Sequence, residues 1–353
     1  MTKIRVLVVG CGNMGASHAR AYRDLDADFE IAGLVSRGAA SRTRLAAEVG
    51  NPPTFSSFAG ALETTQPDAV SINTYPDTHA SMVRDSLRAG AHVFVEKPLA
   101  ETAAEAEELV ALAAEVQRQL VIGYILRVHP AWSRFVTAAR ELGKPLVMRM
   151  NLNQQSQGKE WETHKALMQS MSPIVDCGVH YVDVMCQMTR AHPVRVQAIG
   201  ARLSDEIAAD MYNYGQLQVV FADGSIGWYE AGWGPMMSEA ASFVKDVVGP
   251  LGSVSIVAAG EDQGGSGASA DVQAHTKTTR LRIHRPGQPD EMLDTSDEPD
   301  HDGLCRLEQE LFLAAIRGGV DLHDHLEDAV RSLRIVLAAD ESVRTGRAVE
   351  LAL

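Results

Sequence analysis

Short apolar runs recur along the first third of this chain, separated by stretches with helical spacing. Ile4-Arg5-Val6-Leu7-Val8-Val9 is nearly continuous in apolar character, the pattern of a parallel strand buried on both faces. Residues 29–35, 69–73, 93–95 and 120–123 repeat it. Between them, residues 16–23 are compatible with a helix, and a second helix is predicted from near Thr78 and His79 to Ala89, stopped by Gly90. Thr102-Ala103-Ala104-Glu105 is a capping box that opens a third, alanine-rich one.

Beyond Gly123 the pattern changes. Pro130 fits the first turn of a helix ending near Gly143, and residues 146–153 alternate as a strand does. A polar stretch, residues 154–172, precedes Pro173, which opens another helix. Strands are predicted at 194–203, 216–221, 225–233, 243–248, 253–257 and 279–284, with Asp223-Gly224 as a two-residue hairpin signal. Residues 260–270 are rich in glycine and serine and are expected to be mobile, and 290–302 is an acidic, solvated loop. Helices at 304–317 and 326–345 close the chain, the second ending at Gly346. The change near Gly123 divides the chain into a first domain, 1–123, and a second domain, 124–353.

Composition narrows the partners. The 353 residues suit two domains rather than one core. A formal net charge of −14 with no long basic run argues against nucleic acid or an anionic membrane as the main partner. Cys11, Cys177, Cys186 and Cys305 form no CxxC pair, which fits reduced thiols in a cytoplasmic protein. No apolar run reaches the roughly 18 residues of a spanning helix, and no signal peptide is expected.

Candidate chemistry begins at Gly10-Cys11-Gly12-Asn13-Met14-Gly15, directly after the first strand. Gly10 permits a tight turn, Gly12 a close approach to a pyrophosphate, and Gly15 close packing of the helix. The helix start offers unpaired N–H groups to that anion. After the second strand an acidic residue would favour NAD; Ser36-Arg37 stands there, with Arg42 and Arg44 beyond, and a hydroxyl and guanidinium suit the 2′-phosphate of NADP. The alternative is that Arg37 is a solvated loop residue, or stacks on adenine and tolerates either coenzyme. Asn73-Thr74-Tyr75 ends the next strand, where side chains line the ligand crevice of an open parallel sheet. His79 either meets the cofactor or holds a turn. Glu96 and Lys97 end the strand that Pro98 stops, so Lys97 sits at a strand tip near the expected nicotinamide.

In the second domain Asp176, His180 and Asp183 fall at i, i+4 and i+7 of an otherwise apolar helix and share one face. Three readings are open: a catalytic acid/base with an orienting carboxylate, a metal site, or a satisfied core histidine with surface acids. Trp161 either stacks on a sugar ring or closes a loop onto the core.

Taken together, the glycine loop, His79 with Gly90, Glu96-Lys97-Pro98-Leu99-Ala100, Gly123 with Arg127 and Pro130, and Asp176-Cys177-Gly178-Val179-His180-Tyr181-Val182-Asp183 resemble the glucose–fructose oxidoreductase, inositol dehydrogenase and MocA-type family. The resemblance covers nearly the whole length. It implies an α/β fold: an N-terminal doubly wound Rossmann sheet and a C-terminal α/β domain with a large, open, mostly antiparallel sheet. It implies NAD(P)-dependent hydride transfer at a carbinol or carbonyl carbon of a sugar, polyol or cyclitol. Lys97, Asp176 and His180 match the catalytic positions, so the acid/base reading of the helix is preferred and no metal is expected. Arg127 is placed with the substrate or as support for the cleft between domains. A homodimer or homotetramer through the second sheet is implied as well. Where many relatives have a glycine cluster before the aspartate, this chain has Met171-Ser172-Pro173-Ile174-Val175, a stiffer entry. Two other functions fit the same resemblance: an NAD-dependent glycoside-cleaving enzyme that oxidises the sugar transiently, and a non-catalytic sensor.

Overall fold

The computed structural model describes residues 2–238, 244–257, 276 and 278–351. They form two compact units, Met1–Val128 with Pro299–Val330, and His129–Glu298 with Arg331–Leu353. The predicted mobile stretch 260–270 and Phe243 lie outside the described residues.

The first unit alternates strand and helix: β1 Ile4–Val9, α1 Asn13–Asp24, β2 Phe29–Val35, α2 Ala39–Glu48, β3 Thr54–Phe55, α3 Phe58–Thr65, β4 Ala69–Ile72, α4 His79–Arg88, β5 His92–Glu96, α5 Ala103–Glu115, β6 Leu120–Gly123 and α6 Ile125–Val128. The six strands run parallel in the order β3-β2-β1-β4-β5-β6. Strand order reverses between β1 and β4, and in such sheets ligands bind outside the carboxyl ends at that reversal. The capping box forms as expected, with Thr102 Oγ1 accepting from the Glu105 amide at 3.2 Å and donating to its carboxylate at 2.9 Å. Residues 39–65 carried no strong pattern, yet fold as α2, β3 and α3; a two-residue strand and short helices leave little period to detect.

The chain continues through α7 Pro130–Arg140, β7 Val147–Gln154, α8 Lys159–Leu167, α9 Pro173–Asp176, α10 Gly178–Thr189, β8 Pro193–Ala201, β9 Tyr214–Phe221, β10 Ile226–Trp233, β11 Lys245–Gly249, β12 Gly252–Val257, β13 Arg280–His284, β14 Glu291–Asp294, α11 His301–Ile316, α12 His323–Thr345 and β15 Val349–Glu350. Among the described residues nine strands form the second sheet, in the order β14-β13-β12-β11-β7-β10-β9-β8-β15. Of these, β7 and β10 pair in parallel and the other described pairs are antiparallel. Strand residues alternate, with Met148, Met150, Leu217, Val219, Tyr229, Val247, Val254 and Leu281 buried under α7, α9 and α10. On the opposite face Val248, Val147 and Ile226 lie side by side on adjacent strands and are exposed.

Three expectations are corrected here. The acidic stretch 290–302 is not all loop: β14 adds an edge strand to β13, since Glu291-Met292-Leu293-Asp294 can offer one apolar side while its acids face water. The helix opened by Pro173 is divided at Cys177 into α9 and α10. The helix expected from Leu304 begins earlier, because Asp300 caps it by accepting from the Gly303 amide at 2.8 Å. That helix, α11, belongs to the first unit, where Phe312 and Leu313 join a core of Val6, Val8, Tyr22, Phe29 and Phe94.

Candidate functional site

The carboxyl ends of β1 and β4 are joined by glycine geometry. Gly10 has φ +94°, and a Cβ there would lie 2.3 Å from the Asn73 carbonyl oxygen. A Cβ on Gly15 would lie 1.9 Å from the Gly10 carbonyl oxygen. Gly12 differs: it precedes α1, no side chain caps that helix, and a Cβ would meet nothing within 4 Å. Two glycines thus fold the loop and the third leaves its mouth open at a helix N-terminus. A cavity of about 250 Å³ adjoins it, lined by Gly12, Asn13, Arg20 and Arg44 among others. Met14 is half-buried.

Asn73 is buried and its amide donates to the Ser71 carbonyl at 3.1 Å and the Val9 carbonyl at 3.4 Å, tying β4 to β1. The Thr74 and Thr78 hydroxyls are 2.6 Å apart, and Tyr75 is exposed. His79 is fully buried, with Nδ1 2.7 Å from the Pro98 carbonyl and Nε2 3.1 Å from that of Thr74. Burial lowers its pKa, and those two carbonyls act in the opposite sense. The ring thus sits between the β4 turn and the loop after Lys97, and as a neutral imidazole it donates to one of the two carbonyls.

At the end of β2 the Ser36 hydroxyl is 3.4 Å from that of Ser41, and the Arg42 guanidinium donates to the Ser36 carbonyl. Arg37 is exposed. At the end of β5, Glu96 is buried and its Oε1 lies 2.8 Å from Nε2 of His18. Lys97 follows, half-buried, before a cis peptide bond to Pro98. Arg127 is paired at 3.0 Å with the fully buried Asp328 carboxylate.

In the second unit Asp176 ends α9 and His180 lies in the first turn of α10; both are half-buried. Asp183 is buried and accepts from Gln187 Nε2 at 3.0 Å on its own helix. Gln154 Oε1 accepts from Trp233 Nε1 at 2.7 Å and from Cys177 Sγ at 3.5 Å, and Cys177 Sγ is 3.6 Å from Asp176 Oδ2. His164 stacks on Trp233 with ring centroids 4.3 Å apart and planes 7° from parallel. Burial pushes its pKa down to about 4, against the pull of the Asp176 carboxylate. Trp161 is buried with Met168, Ile207 and Trp233, and its indole N–H donates to Glu206 Oε1 at 3.1 Å. That is the position of an aromatic closing α8 onto the core.

His18, Gln154, His164 and Cys177 were not singled out from sequence as site residues. Gln154 and His164 fall within the polar stretch 154–172 already marked and Cys177 within the quoted run from Asp176 to Asp183, but His18 carries no spacing signal, since its partners are distant in the chain. Among the described residues the side-chain clusters close enough to share an ion are His18-Cys305-Glu308 and His323-Asp324-Glu327, not the Asp176 helix.

Comparison with known proteins follows this division. Residues 4–124 match a family model described as an oxidoreductase family with an NAD-binding Rossmann fold, and residues 134–254 match the GFO/IDH/MocA C-terminal domain. The chain is 31% identical over 212 residues to UDP-N-acetylglucosamine 3-dehydrogenase of Acidithiobacillus ferrooxidans, 60% of this chain and 62% of that one. It thus spans less than two thirds of that relative in the aligned region. It is 26% identical to scyllo-inositol 2-dehydrogenase (NAD(+)) of Bacillus subtilis, over 99% of this chain and 96% of the other. The structure of the WlbA dehydrogenase from Bordetella pertussis, solved with NADH and UDP-GlcNAcA, superposes with a TM-score of 0.79 over 100% of both chains at 18% identity, a likeness of fold.

Proposed function

The chain belongs to the GFO/IDH/MocA family of oxidoreductases, and from that premise we propose that it transfers hydride between a nicotinamide coenzyme and a carbinol or carbonyl carbon of a sugar, polyol or cyclitol. The observation that carries this is the glycine loop, where Gly12 leaves a Cβ-sized opening beside uncapped N–H groups of α1 while Gly10 and Gly15 admit no side chain at all. A pyrophosphate suits that opening, because the helix end supplies donors and a partly positive potential. Gly10, Gly12, Asn13, Met14 and Gly15 hold the pyrophosphate, Thr74, Tyr75 and Lys97 flank the coenzyme farther along, and Asn73, His79 and Glu96 shape the strand ends there. Ser36 and Arg37, with no carboxylate at that strand end, favour NADP over NAD.

The bound coenzyme supplies or accepts the hydride. Lys97 donates a hydrogen bond to the substrate oxygen and stabilises charge as it develops there. His180 takes the hydroxyl proton on oxidation and returns it on reduction, a role for which histidine is the usual side chain. Asp176 orients the substrate or His180, and the Gln154-Cys177-Trp233 contacts hold Asp176's surroundings in place. Sugar and inositol dehydrogenases among the relatives support the substrate class.

The exposed row Val248, Val147 and Ile226 supports a second copy of the chain packing on the open sheet, giving a homodimer or homotetramer. A cytoplasmic location fits the free cysteines; among the described residues no helix is long and apolar enough to cross a membrane. The test is binding of NADH and NADPH by fluorescence, followed by turnover over a panel of sugars, polyols and cyclitols. Leaving-group release without net coenzyme reduction would favour the glycoside-cleaving alternative, and coenzyme binding with no turnover a sensor.

A further inference from the structure

Within the first unit, α11 brings Gln309 against α1, whose His18 reaches the end of β5. The Tyr22 hydroxyl lies 2.5 Å from Gln309 Oε1, Gln309 Nε2 is 2.9 Å from His18 Nδ1, and His18 Nε2 is 2.8 Å from Glu96 Oε1. All four side chains are buried. With the Gln309 amide as placed, donor and acceptor capacities give one direction. Tyrosine donates to the glutamine carbonyl, the glutamine NH₂ donates to Nδ1, and His18 is the neutral tautomer donating from Nε2 to Glu96. The chain ends on a carboxylate that needs a donor, immediately before Lys97.

Glu308 stands beside this chain and takes no part in it. It is 3% exposed, and neither of its oxygens has a hydrogen-bond partner among the described residues. One of its oxygens lies within 4.8 Å of a His18 ring nitrogen and of Cys305 Sγ. Those three side chains do not make a convincing metal site, because both nitrogens of His18 are already engaged. Nor does any cation among the described residues pair with Glu308: Arg20 of α1 is taken by Glu48 at 3.0 Å and Asp302 at 3.5 Å. The groups facing it are Glu96 from β5, His18 and Tyr22 from α1, and Cys305 from its own helix. An ionised carboxylate buried without donors, next to a second carboxylate, is too costly to stand.

We propose that Glu308 is carried as the neutral acid and is a positioning residue: with the Tyr22–Gln309–His18 donor chain it confines the cluster's negative charge to Glu96, the residue before Lys97. Burial and the neighbouring Glu96 carboxylate both push the Glu308 carboxyl well above its ordinary range, in agreement with this assignment. The proposal rests on the role given to Lys97 above, but its test does not use turnover.

Infrared difference spectra of the full-length protein, wild type minus Glu308→Gln, read the protonation state directly. A carboxylic-acid carbonyl band is expected at neutral pH in wild type and not in Glu308→Gln. In Glu96→Gln the same band should persist but titrate away at a pH lower by about one unit or more, because the opposing charge is gone; a merely structural role would not move that midpoint. Unfolding should agree. Above the unfolded glutamate pKa of about 4.3, the folded wild type holds a proton that its unfolded chain has released, so wild type loses stability relative to Glu308→Gln as pH rises, by up to about tenfold in the folding equilibrium per pH unit. If Glu308→Gln fails to fold, the pH titration of the band in wild type and Glu96→Gln decides alone. A spectrum without the acid band at neutral pH overturns the proposal, as does Zn(II) retained through dialysis by wild type and lost in Glu308→Gln. Absence of coenzyme-linked turnover with the band present would instead count against the role of Lys97.

Discussion

Replacing Gly12 and Gly15 separately by alanine distinguishes a loop built for a ligand from one that is merely tight. At Gly15 the new Cβ would sit 1.9 Å from the Gly10 carbonyl oxygen, a backbone atom that no rotamer change removes. Relieving such overlap costs about 1–3 kcal/mol or more. In a unit of this size that lowers the unfolding midpoint by about 2–4 °C per kcal/mol. At Gly12 the methyl meets nothing within 4 Å, and φ −81° is open to alanine. Only the loss of a favourable N-cap residue remains, about 0.5–1 kcal/mol. A bound pyrophosphate, however, would meet that methyl and lose one backbone hydrogen bond to a charged group, worth about 1.5–3 kcal/mol, or about 10- to 150-fold in Kd. Thermal unfolding and titration of NADH and NADPH by fluorescence on the two variants are the assays. Gly12→Ala should keep its unfolding midpoint within a few degrees while losing coenzyme affinity; Gly15→Ala should lose both. Wild-type affinity in Gly12→Ala, or a stability loss there equal to that of Gly15→Ala, would refute the reasoning.

Three further outcomes are expected. Ser36→Asp should reverse the coenzyme preference, weakening NADPH by about tenfold or more while leaving NADH near its wild-type Kd, because a carboxylate repels the 2′-phosphate and accepts from a 2′-hydroxyl; equal losses for both would place the adenosine elsewhere. His129 caps α7 by accepting from the Ala131 amide at 3.2 Å, and burial pushes its pKa down to about 4. The unfolded histidine binds its proton near pH 6.5, so stability present above that pH is lost as pH falls towards 4, by up to about 1.4 kcal/mol per unit; His129→Asn, which keeps an acceptor and cannot titrate, should flatten that limb in denaturant unfolding. Arg127→Ala removes a guanidinium 3.0 Å from the fully buried Asp328 carboxylate and should destabilise the first unit by about 1.5–3 kcal/mol, read as a lower unfolding midpoint; a midpoint within a degree or two of wild type would show that the pair contributes nothing.

What the residue pattern made legible was whatever had a local period or a short fixed spacing. The β1 run with its glycines, the Thr102 capping box and the Asp223-Gly224 hairpin between β9 and β10 all read directly, because each is decided by neighbours within a few residues. β3 and β14 were missed since two and four residues give too little alternation. The break at Cys177 was missed because its backbone stays near helical values, φ −86° and ψ −39°, so nothing in the residue types announces it. Of the candidate site residues, Arg127 proves to be held in a buried ion pair, and Trp161 packs into the core with its N–H on Glu206. The network through His18, Glu96 and Gln309 was beyond reach: its members are separated by 78 and 291 positions, and only the return of α11 to the first unit brings them together.

The central claim is that this chain reduces or oxidises a nicotinamide coenzyme in a reaction handled by Lys97 and His180. It is tested most directly by following nicotinamide absorbance with wild type, Lys97→Ala and His180→Ala over the sugar, polyol and cyclitol panel, with coenzyme Kd measured on each. The expected result is substrate-dependent change in wild type, a fall of about 10²-fold or more in turnover for His180→Ala, a comparable fall for Lys97→Ala, and coenzyme affinity in His180→Ala close to wild type. Turnover that survives His180→Ala undiminished would contradict the account.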